Sequence, residues 1–237
     1  MIKTLLKSIP LIKKYTDAKT ELVKNNYALR LRIEYLEKEN NILCKEANRY
    51  KTKCKIQSSD TLKLVVGSGG ISIDDWILTD IDTLDITEYE DWEFYFKEGL
   101  VDVVFAEHVW EHLNIVQTDE ANLNIFKFLK QFGRLRIAVP DGLHPNSSYI
   151  EYVKPGGNGP GADDHKILYT YHSITESLNK AGFTVELLEY WDERGNFNFN
   201  EYDEAFGKVK RSSKHDKSNI GGRLEYTSLI VDAIKEK

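Results

Sequence analysis

Residues 63–80, "KLVVGSGGISIDDWILTD", limit the fold more than any other part of the sequence. An apolar run ends in a glycine-rich turn, and a second apolar run begins only a few residues later, at Trp76. Apolar runs of this kind are typical of buried parallel strands, which are usually joined by a full helix. Because only residues 71–75 separate the last glycine from Trp76, the sequence predicts two strands joined by a shortened connection.

The rest of the chain after this segment alternates apolar runs with helical patterns. We predict strands at residues 62–66, 76–79, 101–106, 134–139, 184–191 and 227–233. Helical patterns occur at residues 109–116, 120–132, 147–153 and 172–181, and Gly182 ends the last of them. This order predicts an α/β fold with a doubly wound, mostly parallel sheet, whose ligand lies beyond the carboxyl ends of the strands.

An N-terminal arm precedes these strands. Residues 13–53 contain neither proline nor glycine, and charged residues recur among leucines, which predicts one long helix. Leucines recur every seventh residue, at Leu22, Leu29, Leu36 and Leu43. Asn26 and Asn40 fall at a positions of the same heptads, where paired asparagines favour a parallel two-stranded coiled coil. We therefore predict a coiled-coil arm at residues 1–57 that forms a homodimer, and a globular domain at 58–237. The alternative is an amphipathic helix packed on its own domain.

Charge is distributed unevenly between these two parts. The arm has 14 basic and 6 acidic residues, and the rest has 18 basic and 32 acidic residues, for a net charge of -6. An acidic body argues against nucleic acid as the main substrate, because phosphate neutralisation supplies most of that affinity.

No apolar run approaches the roughly 18–20 residues that cross a bilayer, and Pro10 interrupts the opening segment. Cys44 and Cys54 are too few for a disulfide framework. We expect a cytoplasmic protein without a transmembrane segment.

Five segments, in this order, resemble the motifs of class I S-adenosylmethionine-dependent methyltransferases: "LVVGSGG", "WILTDIDTLDIT", "VDVVFAEHVWEHL", "GRLRIAVPD" and "SLNKAGFTVELLEYWDE". The resemblance runs from about Lys63 to the C-terminus and leaves out the arm. It is closest to compact methyltransferases found among bacterial surface-polysaccharide genes. It implies S-adenosylmethionine as the cofactor, a small-molecule or glycan substrate, and O-methylation of a sugar or phosphate-bearing precursor as the reaction.

The resemblance assigns the cofactor site to the first two strands. Gly67, Ser68 and Gly69 match the turn whose backbone approaches the cofactor's amino acid part, where a side chain would collide. Asp80 matches the acid that accepts hydrogen bonds from both ribose hydroxyls. Asp85 lies where the family places a polar contact to the adenine amino group, although an acid in an exposed loop can equally be only solvated.

The sequence departs from the family's pattern at three places. Val65 stands where an acid often precedes the first glycine, Ile71 replaces the third glycine, and the helix between the first two strands is missing. Asp82 also competes with Asp80 for the ribose contact. These departures motivate the alternative that the chain is a catalytically degenerate methyltransferase fold that acts as a dimeric scaffold.

The segment "EHVWEH" supplies the first candidate base. His108, Glu111 and His112 have the H-x-x-E-H spacing of one zinc-peptidase class, which needs both histidines on one helix. A strand ends just before Glu107, so His108 should lie at the strand's carboxyl end instead, and we expect no metal there. By the resemblance, His108 lies beside the transferred methyl group and can take a proton from an acceptor hydroxyl. Glu111 and His112 would then be structural.

Two further polar segments supply the remaining candidates. Asp163, Asp164 and His165 follow a glycine-rich loop, and an imidazole beside carboxylates can act as a base, bind a divalent metal or cap a helix. His165 and Asp164 are therefore catalytic candidates together with His108. Arg211 and His215 belong to the basic island "KRSSKHDKSN", which suits an anionic group on the acceptor.

Overall fold

The computed structural model describes residues 2–71 and 73–236, and residues 2–8 by their backbone alone. The chain divides into two compact units, Met1–Asn48 and Arg49–Lys237. One helix, α1 (Ile2–Gln57), makes up the first unit and continues into the sequence of the second. Among the described residues, no helix combines the length and the apolar character that crossing a bilayer requires.

α1 confirms the helix predicted at residues 13–53 and continues beyond it at both ends. It contains Pro10, which removes one backbone hydrogen bond without ending the helix. The heptad leucines, Leu22, Leu29, Leu36 and Leu43, are all exposed, by 46–62%. An exposed apolar row of this kind is the surface that a second helix covers in a coiled coil. The coiled coil itself stays a prediction.

The described part of the second unit contains all the predicted strands, together with a strand and a helix that were not predicted, β6 and α2. The strands are β1 (Lys63–Val66), β2 (Ile77–Leu78), β3 (Val101–Glu107), β4 (Leu129–Pro140), β5 (Thr184–Trp191), β6 (Phe197–Phe199) and β7 (Ser228–Ile234). The helices are α2 (Tyr89–Tyr95), α3 (Ile115–Phe128), α4 (Ser147–Val153) and α5 (Tyr171–Ala181), with short 3₁₀ helices at Trp110–His112, Ala162–Asp164 and Glu204–Phe206.

The strands form one mixed sheet in the order β2-β1-β3-β4-β7-β5-β6. β2, β1, β3 and β4 are parallel, whereas β7 pairs antiparallel with both β4 and β5, and β6 pairs antiparallel with β5. The expectation of a mostly parallel sheet therefore holds for one half of the sheet only. β1 lies between β2 and β3, so the chain leaves β1 on one side and returns on the other, which creates a crevice at the carboxyl ends of these strands.

The reversal of β7 brings a second part of the chain to the same edge. Ser228, the first residue of β7, pairs with Pro140, the last residue of β4. Because the two strands are antiparallel, the amino end of β7 lies beside the carboxyl ends of the parallel strands. The segment that precedes β7 therefore reaches the crevice from the opposite side.

Two predicted helices have different bounds. Residues 109–116 contain the 3₁₀ helix Trp110–His112 and only the first two residues of α3, Ile115 and Val116. The break occurs because Asn114 caps α3: its side chain accepts from Gln117 N at 3.1 Å, and the Gln117 side chain accepts from Asn114 N at 3.0 Å. The helix predicted at 120–132 ends at Phe128, since the next residues already pair in β4.

The last turns of α1 pack within the second unit. Arg49 Nη1 donates to Asp91 Oδ1 at 2.8 Å, and the rings of Tyr50 and Phe94 pack edge to face. Ile56 is buried in the main hydrophobic core. A truncation that leaves the globular unit complete therefore removes residues 1–48 rather than the predicted arm of residues 1–57.

A buried ion pair joins β4 to β7. Arg136 and Asp232 are both 0% exposed, and Arg136 Nε and Nη2 donate to the two carboxylate oxygens at 2.7 Å each. Arg136 Nη1 also donates to the carbonyls of Asp203 and Gly207, at 2.7 and 2.9 Å. One guanidinium thus fixes the reversed strand and part of the segment that leads into it.

Removing one member of this pair should destabilise the fold strongly. Asp232→Ala leaves the buried guanidinium without its counter-charge, and we expect a loss of about 3–5 kcal/mol in the free energy of unfolding. Glu186→Ala is the matched control, because Glu186 pairs with Arg134 at the exposed surface and should contribute about 0–1 kcal/mol. Urea denaturation measures both losses, and equal losses would contradict this role of the pair.

Candidate active site

The turn after β1 has a backbone shape that glycine adopts readily and other residues do not. Gly67, Gly69 and Gly70 have φ angles of +61°, +53° and +79°. A Cβ at Gly67 would lie 2.4 Å from Cγ2 of Val109, whereas a Cβ at Gly69 or Gly70 would meet nothing within 4 Å. No described residue between β1 and β2 is helical, which confirms the shortened connection. The turn therefore leaves open space above its last two glycines.

Asp80 follows β2 and faces this turn. Its Oδ2 accepts from Gly69 N at 3.1 Å, and its Oδ1 accepts from Ile81 N at 2.9 Å. Ser68 N donates to the Thr79 carbonyl at 3.0 Å and so ties the turn to the end of β2. A carboxylate offers about four lone pairs, so Asp80 can accept further hydrogen bonds while it holds the turn.

One cavity of about 440 Å³ joins the predicted cofactor residues to two of the predicted catalytic residues. Its lining includes Gly67, Gly69, Asp80, Asp85, His108 and Asp164. This volume falls within the range of about 300–1,000 Å³ that is typical of small-molecule sites. Ser68 lines a neighbouring cavity of about 300 Å³, which also contains His108 and Arg211. Asp85 has a structural role as well, because its Oδ1 accepts from the backbone and the hydroxyl of Thr87.

His108 lies at the point where these cavities meet. It follows β3 with a left-handed φ of +59° and, as predicted, is not part of a helix. Ser228 Oγ donates to the Arg211 carbonyl at 2.8 Å, so it accepts from His108 Nε2 at 3.2 Å. Nδ1 is therefore the ring nitrogen that can take a proton. It lies 2.8 Å from Glu111 Oε1 and 3.4 Å from Arg211 Nη1.

The other catalytic candidates lie on different cavities. His165 lines a cavity of about 200 Å³ that shares His108 and His112 with the larger one, and its Nδ1 donates to the Val153 carbonyl at 2.6 Å. Asp164 lines the larger cavity instead. Lys166 Nζ, 2.6 Å from the Asp164 carboxylate, lowers the pKa of Asp164, so this group is a charged acceptor.

The basic island forms a third region, a cavity of about 770 Å³ lined by residues that include Lys208, Lys210, Arg211, His215 and Lys217. Glu204 lies among these cations. Its Oε1 is 2.7 Å from His215 Nε2 and 3.0 Å from Lys214 Nζ, and these contacts lower the pKa of Glu204 to about 2. His215 is therefore paired with Glu204, whereas Arg211 also lines the two cavities beside His108. The two predicted substrate residues thus share the 770 Å³ cavity, and of the two Arg211 alone also lines the cavities beside His108.

Two residues of the site were missed or undervalued by sequence reasoning. Tyr226 OH accepts from Arg211 Nη1 at 3.4 Å, and burial raises the pKa of Tyr226 to about 12, so the phenol keeps its proton at neutral pH. Its one sequence signal is its place just before the last strand. Glu111 is 0% exposed, and its carbonyl accepts from Lys166 N at 2.6 Å, which brings the segment after His165 to the 3₁₀ helix.

The chain matches no family model and no curated protein sequence. It is similar to a solved SAM-dependent methyltransferase from Archaeoglobus fulgidus, with 16% identity over 81% of this chain and 94% of that chain and a TM-score of 0.42. For a SAM-dependent methyltransferase from Thermotoga maritima, the identity is 11% over 85% and 95% of the two chains, and the TM-score is 0.44. Haemonchus contortus phosphoethanolamine N-methyltransferase 2, solved with S-adenosyl-L-methionine, is 16% identical over 76% of this chain and 49% of that chain, with a TM-score of 0.41. At these scores the likenesses decide nothing about the reaction, which is inferred below from the geometry of the site.

The glycine turn should tolerate alanine very differently at two of its positions. Both substitutions place alanine in the left-handed region, at a cost of about 1–2 kcal/mol. Gly67→Ala adds a collision with Val109, whereas Gly70→Ala adds none, so Gly67→Ala should be the more destabilising. Thermal unfolding of both variants provides the measurement. A Tm for Gly67→Ala equal to that for Gly70→Ala would show that the turn does not press on Val109.

Proposed function

We propose that this chain is an S-adenosylmethionine-dependent methyltransferase that acts on an oxygen acceptor. The observation that carries the proposal is the 440 Å³ cavity, which is lined at once by the glycine turn, by Asp80 and by His108. The sequence resemblance assigns a cofactor role to the first two and a catalytic role to the third. Their presence on one cavity supports both assignments together.

The residues of this cavity suit the cofactor that the resemblance implies. The left-handed glycines leave space where side chains would project, so a ligand can approach the backbone of the turn. Asp80 is held in place by two backbone amides and keeps lone pairs for a pair of hydroxyl groups. Asp85 lies further along the same cavity, at the place expected for the adenine contact.

The chain's own residues then have to align the acceptor, exclude water and remove one proton. When bound, S-adenosylmethionine supplies an activated methyl group on a sulfonium, so the cofactor itself provides the leaving group. His108 Nδ1 takes the acceptor's proton, and the Glu111 carboxylate 2.8 Å away stabilises the imidazolium that forms. Ser228 fixes the ring by accepting from Nε2. His165 is the less favoured base, because it does not line the cofactor cavity.

The acceptor side supports a hydroxyl-bearing substrate that carries an anionic group. Arg211 and Tyr226 line the cavity beside His108, and Arg211 also borders the basic island. A guanidinium binds phosphate or carboxylate through two parallel hydrogen bonds. We therefore infer a sugar or phosphate-bearing precursor of a surface polysaccharide as the acceptor class, with the identity of the glycan taken from the sequence resemblance.

We further propose that α1 pairs with the α1 of a second copy as a parallel coiled coil. The exposed heptad leucines are a continuous apolar row, and the asparagines at the a positions specify an in-register pair. The long helix, not the catalytic unit, would then set the oligomeric state.

The cofactor assignment predicts an effect at Asp80 that a neighbouring acid does not share. Asp80→Ala should weaken S-adenosylmethionine binding by about 1.5–3 kcal/mol, the range for hydrogen bonds to a charged group. Asp82→Ala is the matched control, because Asp82 is exposed and does not line the cavity. Equilibrium dialysis with labelled cofactor measures both affinities. Unchanged affinity in a folded Asp80→Ala protein would refute the role of that residue.

The coiled coil predicts opposite results for two exposed leucines of the same helix. Leu29 lies in the heptad seam and Leu31 lies on the opposite side of the helix, although both are largely exposed. Leu29→Lys should shift the chain from dimer to monomer in light scattering, and Leu31→Lys should not, because only the first charge would be buried in the seam. Deleting residues 1–48 should also give a monomer with an intact globular unit. A wild-type chain that is monomeric at micromolar concentration would refute the dimer.

A further inference from the structure

The 3₁₀ helix after β3 carries a buried carboxylate that receives no hydrogen bond. Glu111 is 0% exposed, and neither carboxylate oxygen has a hydrogen-bond donor. His108 Nδ1 lies 2.8 Å from Oε1 but is not aligned for a hydrogen bond. A buried carboxylate without hydrogen bonds is strongly unfavourable, because it has lost its solvation by water. Such a group is usually neutralised, either by a proton or by a cation that occupies the space beside it.

Two histidines face this carboxylate from different parts of the chain. His112 belongs to the same 3₁₀ helix, and His165 is brought opposite by the hydrogen bond from Lys166 N to the Glu111 carbonyl. Glu111, His112 and His165 each offer one ligand atom within 4.8 Å of the others. The two imidazole rings lie nearly perpendicular, with centroids 4.8 Å apart. All three side chains line the 200 Å³ cavity.

The hydrogen bonds of both histidines leave the same ring nitrogen free. His165 Nδ1 is 2.6 Å from the Val153 carbonyl, and His112 Nδ1 is 3.2 Å from the Asp164 carboxylate. Carbonyl and carboxylate oxygens only accept, so Nδ1 is the donor in each ring and Nε2 carries the lone pair. Metal-binding histidines almost always donate their second nitrogen to a carbonyl or a carboxylate in this way, because the bond fixes the tautomer and the ring.

We propose that Glu111, His112 and His165 form a binding site for one divalent transition-metal ion of the zinc type. Two imidazoles and one carboxylate are a ligand set that zinc accepts, with a water or substrate oxygen as the fourth ligand. A tetrahedral zinc ion holds its ligand atoms about 3.3 Å apart, so the side chains would close by about an ångström around it. The cavity also contains Arg211 and Tyr226, so the fourth position faces the region assigned to the acceptor.

This site differs from the metal arrangement that the H-x-x-E-H spacing suggests. That arrangement uses His108 with His112, and His108 instead follows β3 and bonds to Ser228. The proposed site replaces His108 by His165, which lies more than fifty residues along the chain. It also departs from the sequence expectation of no metal. The two proposals share Glu111, but metal uptake can be measured without cofactor or acceptor, so the failure of one can be told from the failure of the other.

Metal titration of the full chain tests the proposal. The protein should carry no affinity tag, and Cys44 and Cys54, both exposed, should be replaced by serine so that thiolates do not bind metal. After chelation, the protein is titrated with Co²⁺, whose visible spectrum reports tetrahedral ligation, and with Zn²⁺ against a chromophoric chelator. We expect one Zn²⁺ per chain with micromolar or tighter affinity.

Two single variants of this parent test the ligands, and a third serves as the control. Glu111→Gln keeps the shape of the side chain, and His112→Gln changes a side chain that is partly exposed. Each substitution should weaken Zn²⁺ binding by at least about 10-fold. His172→Gln is the matched control, because His172 is exposed and pairs with Glu193. If Glu111→Gln fails to fold, the parent and His112→Gln still test whether the site binds Zn²⁺. A parent that takes up no Zn²⁺, or a His112→Gln variant that binds as tightly as the parent, would overturn the proposal.

Discussion

Arg136 and Asp232 form a buried ion pair between β4 and β7, and the acceptor side of the site depends on it. The Nε and Nη2 groups of the guanidinium donate to the Asp232 carboxylate, and its Nη1 group donates to the carbonyls of Asp203 and Gly207. Arg211 follows only a few residues later along the chain. The ion pair joins two antiparallel strands. Because the same guanidinium holds Asp203 and Gly207, it also anchors the segment that brings Arg211 to His108.

The two sides of the candidate site have different physical origins. The cofactor side is local in sequence: the glycine turn and Asp80 lie in one short segment, and their backbone contacts hold each other. The acceptor side is assembled from distant segments that meet because β7 is reversed. His108 belongs to both, since it directly follows β3 and bonds to Ser228 at the start of β7. Because of this position, the His108 side chain lines cavities on both sides of the candidate site.

The elements that carry the local side could be predicted from the sequence, whereas the contacts that assemble the distant side could not. Continuous apolar runs identified β1 and β3, and the spacing after Gly67 correctly excluded a helix before Trp76. The helix predicted at 109–116 was wrong in its bounds because Asn114 competes for the backbone amides of α3. The contact between Glu111 and the segment after His165 has no signal in either segment. It arises from two backbone hydrogen bonds across the fold, in which Lys166 N and Ile167 N both donate to the Glu111 carbonyl.

The basic island is a second case in which a contact across the fold has no signal in the sequence. The sequence predicted an anion site at Arg211 and His215, but Glu204 lies between Lys214 and His215 in the fold and neutralises part of that charge. The guanidinium of Arg211 lies beside His108 and Tyr226, so the proposed anion site rests on Arg211 rather than on the pair. Glu204, which comes several residues earlier in the chain, pairs with His215 and not with Arg211. The spacing of the basic residues alone does not reveal this.

Calorimetric titration of the wild-type full chain with S-adenosylhomocysteine, beside adenosine triphosphate, tests the central claim most directly. The two molecules share adenosine, but only the first has the amino acid part that the glycine turn is proposed to contact. The account predicts single-site binding of S-adenosylhomocysteine and at most weak binding of adenosine triphosphate. A folded protein that binds neither would contradict the account and favour a degenerate fold that serves as a scaffold.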